Sequence, residues 1–155
     1  AIAKWPNAKL LAPVALRKKR KDLRIDYDLE STGSLPDAIR DAFELYPLAG
    51  TMLGETAFFH RPTKTLVTSD LFENFTGEIV DHAPTRLYLK LGGIYKKPGW
   101  HRLLRIVYRD KKAAGASVAK ILDEVDFDRV IVAHGEIVTD HPKDVIREAL
   151  SFLLR

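Results

Sequence analysis

Stretches with strand chemistry alternate with stretches of helical periodicity along this 155-residue chain, with no internal repeat and no low-complexity linker between them. That alternation argues for an α/β domain built in layers, since each amphipathic helix needs a sheet face on which to bury its stripe. Residues 9–14 (KLLAPV) are an apolar run suited to a buried strand, entered through Trp5 and Pro6 and turned at Pro13. A short helix is expected over 16–23. A second should start at Ser34, Pro36 and Asp37, carry Ala38, Ile39, Ala42 and Phe43 on its apolar face and end at Pro47. Residues 56–60 and 65–68 read as two strands joined through Arg61, Pro62, Thr63 and Lys64, a link of hairpin length. Helical patterns follow over 86–91 and 101–109, separated by Gly92, Gly93, Pro98 and Gly99. Asp110 opens a helix in which Ala114, Val118, Ile121, Leu122 and Val125 recur at three and four residues. Residues 130–133 form a β-branched strand. The last helix is expected to be capped by Asp140, with Pro142 in its first turn and Val145, Ile146, Ala149, Leu150 and Leu153 buried.

A chain of this length hides about 68–70% of its unfolded surface, which suits one domain over 1–155 better than two. It contains no cysteine. Disulfides, Fe–S clusters and thiolate zinc sites are therefore excluded, and any metal would have to be held by His and carboxylates. An intracellular, cytoplasmic setting is the expectation. No run reaches the roughly 18–20 apolar residues that cross a bilayer, so no membrane partner is expected. The chain opens with Ala1 and its one methionine is Met52, which reads as a processed product or a fragment.

The formal charge of +4 is unevenly spread. Residues 1–24 hold Lys4, Lys9, Arg17, Lys18, Lys19, Arg20, Lys21 and Arg24 against Asp22, and the rest of the chain is close to neutral. A run such as Arg17 to Lys21 attracts phosphates by counterion release, but equally serves as the solvated face of a short helix. No aromatic residue interleaves it, so the solvated face is favoured and nucleic acid is not expected as a partner.

Two strand ends carry the chemistry. The run TLVTSD delivers Asp70 at its C-terminal end, and RVIVAHGE delivers His134. Function in α/β sheets gathers at such ends. A carboxylate and a neutral imidazole together offer one anionic and one neutral ligand to a divalent cation, at about 2.0–2.2 Å. Singly, either residue has an ordinary explanation: an aspartate after a strand caps a turn, and a histidine before Gly135 can be a satisfied turn residue.

With their spacing, these segments resemble the C-terminal half of the metallo-β-lactamase fold, in particular a branch of that superfamily described as a domain of unknown function. The loop GTMLGE (50–55), the hairpin AFFHRPTKTLVTSD (57–70) and the strand VIVAHGE (130–136) carry the likeness. It implies a layered αββα fold, represented here by its C-terminal half. It also implies that Asp70 corresponds to a metal-bridging aspartate and His134 to the last metal-ligand histidine, with zinc, iron or manganese as the divalent metal. Thr51 stands where the family's loop histidine would be, and its hydroxyl is a weaker donor than an imidazole lone pair. The superfamily's histidine–aspartate cluster would precede WPNAKLLAP, and His60, His82, His101, His134 and His141 do not reproduce it. Either an N-terminal half lies outside this chain or the branch has lost its metal.

Catalytic zinc takes three protein ligands and an open position, and Asp70 and His134 are two. Glu73, Glu136 and His82 are candidate third ligands. His60, His82, His101 and His141 are otherwise read as structural or solvated, and Trp100 with Tyr95 as an aromatic lid over the core rather than a contact for a planar ligand. Two functions fit. One is metal-dependent hydrolysis of an unknown small-molecule substrate. The other is a binding or interaction module that keeps the fold without the metal. A half-fold should also leave one sheet face apolar, to be covered by a second copy or by the missing half.

Overall fold

The structure, a computed structural model, describes residues 4–76 and 82–155. The N-terminal segment forms a short parallel ladder between β1 (Leu11–Ala12) and β2 (Tyr27–Asp28), linked through helix α1 (Val14–Lys19), and then a single helical turn, α2 (Asp37–Arg40). The longer helix expected from Asp37 to Pro47 does not form. Phe43–Pro47 is instead strand β3, paired antiparallel with β4 (Thr56–His60) from Phe43 opposite His60 to Pro47 opposite Thr56. Five residues of ladder satisfy the backbone there, and alternate side chains of FELYP divide between two faces, so pairing overrides the local helical spacing.

β4 continues into β5 (Thr65–Val67) through a 3₁₀ turn, Arg61–Thr63, closed by Lys64 in the left-handed region at φ 46°. The hairpin read from the sequence is therefore present. Next come β6 (Glu73–Asn74), helix α3 (Ala83–Gly92) and β7 (Pro98–Gly99), which pairs back onto β6. The helix expected over 101–109 is a 3₁₀ helix, Arg102–Val107, with the His101 side chain accepting a hydrogen bond from Leu103 N at its start. Helix α4 (Lys111–Glu124) begins as expected, with the Asp110 carboxylate accepting from Ala113 N at 2.9 Å. β8 (Arg129–Ile131) then lies parallel to β5 and completes a sheet of order β3–β4–β5–β8. Helix α5 (Pro142–Ala149) follows, but Asp140 is not its cap. His141 occupies that position at φ 45°, and Pro142 at the first turn has no N–H to satisfy.

Strand register decides which side chains meet. Phe59, Leu66 and Val130 form one row, with Ala57 beside them, and pack against Val118, Ile121 and Leu122 of α4 and Ile146, Ala149 and Leu150 of α5. Leu71, Phe72, Trp100 and Tyr108 close the same core. The opposite face carries the row Leu45, Phe58, Val67 and Ile131. Its β3 end is covered by the N-terminal segment, where Thr32 Oγ1 accepts from Leu45 N at 2.9 Å and Leu35 is buried. Towards β8 the cover ends: Val67 is half-buried and Ile131 is exposed.

Candidate metal centre

The parallel register that pairs Thr65 with Arg129, Leu66 with Val130 and Val67 with Ile131 sets a constant offset between the two strands. Carried three residues further, that offset puts Asp70 beside His134. The pairing persists part of the way, since Thr68 N donates to Ile131 O at 2.9 Å and Ala133 N to Ser69 O at 3.3 Å. At the rim, His134 Nε2 lies 3.3 Å from Asp70 Oδ1. Their side chains are 55% and 46% exposed, so the pair is bathed in solvent and contributes little to stability. Both groups are accessible from outside the fold.

Buried residues hold this exposed pair in place. Leu71 and Phe72, which directly follow Asp70, are fully buried and anchor its loop in the core. Asn74 clamps the loop to the segment after β8. Its N–H donates to His134 O at 2.9 Å, its carbonyl accepts from Glu136 N at 2.8 Å, and its side-chain Nδ2 donates to Glu136 O at 2.8 Å. Gly135 makes this approach possible, because it adopts φ 105° and any Cβ there would collide with the Asn74 carbonyl.

Glu55 is a component that the sequence reading named only as the end of a loop. It precedes β4, is buried, and accepts a hydrogen bond from Ser69 N through Oε1 at 3.0 Å. Burial pushes its carboxyl up to about 7; the Ser69 N–H opposes that rise and the nearby Asp70 charge adds to it. The legible signal was an acid placed directly before the apolar strand TAFF, since a carboxylate beside a buried strand is either paired or raised in pKa. Glu55, Ser69 and Asp70 also line a cavity of about 250 Å3, with Pro13, Leu29, Leu53 and Phe58 as its apolar wall.

The candidate third ligands fare differently. Glu73 is half-buried close to Asp70. Burial raises its pKa, and its Oε2 is buried without a hydrogen-bond partner. Glu136 is exposed, and the His82 ring is engaged with the Thr85 hydroxyl at 2.9 Å. Thr51 spends its hydroxyl locally, accepting from Leu53 N at 3.1 Å. Among the described residues, no three His, Asp or Glu side chains are grouped so as to hold a metal ion. Asp70 and His134 are a suitable anionic and neutral donor, but two donors make only part of a coordination sphere. As a self-contained centre the described residues do not fit a catalytic metal.

The other histidines have structural roles. His101 is fully buried, stacks on Tyr88 with ring centroids 4.2 Å apart, and accepts from Leu103 N at Nδ1, which leaves Nε2–H to donate to Tyr88 O at 3.1 Å. His60 contacts the Thr63 hydroxyl at 2.7 Å, within the hairpin turn. Trp100 is a core residue set edge-on to Tyr108, while Lys90 and Lys96 stand over the Tyr95 ring.

Solved structures place this architecture in a known class. The chain is similar to the DIM-1 metallo-β-lactamase, with a TM-score of 0.58, 15% identity and 98% of this chain covering 63% of that one. It is also similar to the DIM-1 metallo-β-lactamase exposed to ceftazidime, with a TM-score of 0.54 and 17% identity over 97% of this chain and 61% of that one. For the metallo-β-lactamase TMB-1 the TM-score is 0.53, at 14% identity over 98% and 62% of the two chains. The fold is therefore metallo-β-lactamase-like, and the chain spans less than two thirds of the length of these structures. No protein-family model matches the chain. No curated protein matches it either. Among the described residues, no helix is long and apolar enough to cross a membrane.

Proposed function

We propose that this chain is the C-terminal part of a metal-dependent hydrolase-like protein of the metallo-β-lactamase superfamily, in the branch described as a domain of unknown function, acting inside the cell. Asp70 and His134 are its contribution to the metal site. The observation that carries the reading is the meeting of that acid and that imidazole at the ends of two parallel strands in this fold. A divalent ion bound there would supply a polarised water. Asp70 and His134 fix the ligand side of the rim, Asn74 holds the His134 backbone, and Glu55 holds the Ser69 N–H. A small-molecule substrate is assigned to the cavity beside Asp70, against Pro13, Leu29 and Phe58. The remaining ligands come from the half of the fold that covers the row ending at Ile131, or from a second copy seated there.

The test is metal analysis of the full-length protein, with Asp70→Ala and His134→Ala beside it. Stoichiometric zinc, iron or manganese that is lost in both variants supports the reading, and metal content unchanged by either refutes it. A second reading is a binding module with this fold and no metal. It is favoured by the engagement of the Thr51 hydroxyl with its own loop and by the lack of a third ligand among the described residues. Full-length protein that takes up no divalent metal would establish it.

A further inference from the structure

A second cavity, of about 390 Å3, shares no lining residue with the one beside Asp70 and has the opposite chemistry. Its wall includes Lys97, Arg102, Arg105 and Arg155, and Glu148 is the acidic side chain among its lining residues. Arg102 and Arg105 lie three apart in the 3₁₀ helix Arg102–Val107. A 3₁₀ helix has three residues per turn, so its i and i+3 side chains eclipse and the two guanidinium groups project from one side. Among the described residues, none of the four cations is within ion-pairing distance of a carboxylate.

Such crowding of like charge is costly unless something answers it. Arg105 is packed over the Phe152 ring at 4.0 Å, and burial together with the Arg102 and Arg155 charges lowers its pKa. The C-terminal ends of α3 and α5 face this region through Gly93 and Ala149, each supplying roughly half a negative charge. With Glu148 these still leave the cavity lining net positive. Two of the lining residues also hold an orphaned donor: Trp100 Nε1–H, on an indole only 4% exposed, and Arg105 Nε–H are buried with no hydrogen-bond partner. A buried N–H without an acceptor is costly, so both groups stand to gain from one.

We propose that this cavity is a binding site for the phosphate group of a small phosphomonoester, held by Arg102 and Arg105 with the Trp100 indole N–H as a further donor and Lys97 and Arg155 at the rim. A phosphomonoester carries close to two negative charges at neutral pH and offers three strong acceptor oxygens, matching both the charge excess and the unused donors. The volume exceeds a phosphate's need and leaves room for the molecule that bears it. Arg102 also lies against Gly93, where a Cβ would come within 2.9 Å of its Nε, so a bulkier residue there would push the guanidinium aside.

Calorimetric titration of the full chain at low salt, with inorganic phosphate and then glycerol 3-phosphate, tests this. Saturable one-to-one binding of both is expected. Arg102→Gln and Arg105→Gln should each weaken it about tenfold or more, and Trp100→Phe, which removes the N–H, by about three- to tenfold. Lys120→Gln, on the exposed face of α4, should change it less than about twofold. Arg105 packs on Phe152, so if Arg105→Gln melts early the exposed Arg102 carries the test. Absence of saturable phosphate binding up to about 10 mM, or binding untouched by Arg102→Gln, overturns the proposal. Succinate bound as tightly as phosphate overturns the phosphoryl assignment. An oligonucleotide retained where neither phosphate binds would assign the patch to nucleic acid and overturn it as well.

Discussion

Glu55 offers a quantitative test of how the rim is built. Its carboxyl is buried and raised from an ordinary 4.5 to about 7, chiefly by desolvation. The folded state therefore holds a proton more tightly than the unfolded chain, and stability falls as pH rises from 4.5 to about 7, because only the unfolded carboxyl ionises freely in that window. At about 1.4 kcal/mol per pKa unit, the ionised form costs about 3 kcal/mol of stability above pH 7. Glu55→Gln keeps the acceptor for Ser69 N–H at 3.0 Å and carries no charge at any pH. Urea unfolding of both proteins across that range isolates the effect, since every other titrating group cancels in the difference. Equal stability at the acid end is expected, with the glutamine variant ahead by about 3 kcal/mol near pH 8. A difference independent of pH would refute the argument, because it would mean that the carboxyl is ionised throughout or is solvated on folding.

Other outcomes separate scaffold from site. Asp70→Asn should alter stability by less than about 1 kcal/mol by urea unfolding, since the Asp70–His134 pair is exposed, while lowering metal content in the full-length protein. Asn74→Ala removes the donor to Glu136 O and should cost about 1–3 kcal/mol, accompanied by faster amide exchange at Glu136. Gly135→Ala forces a Cβ into the Asn74 carbonyl at a positive φ, and should cost about 2–4 kcal/mol in the same unfolding assay. Phe72→Ala empties a fully buried position and should cost about 3–5 kcal/mol; a value below 1 would mean that the loop after Asp70 is not anchored as described.

Elements whose pattern is local were legible in advance. The hairpin of β4 and β5 showed as two β-rich runs around a Pro-containing link, and α4 as a three-and-four apolar repeat behind Asp110. The stretch 37–47 misled because Ala38, Ile39 and Ala42 keep helical spacing, while the fate of Phe43–Pro47 depends on a partner strand that local spacing does not reveal. His141, not Asp140, took the cap position, with the chain turning there through a left-handed residue.

For the site, the sequence by itself determined that an acid and a histidine each end an apolar strand, since a short apolar run and a polar terminus are written into TLVTSD and RVIVAHGE. Tertiary structure decided the rest. Only the parallel register of β5 and β8 places Asp70 against His134, and only packing buries Glu55 beside Ser69. The meeting of Arg155 with Arg102 and Arg105 at one cavity is of the same kind. Each brings together segments far apart in the chain, and its energy comes from desolvation and charge, which depend on neighbours that folding supplies.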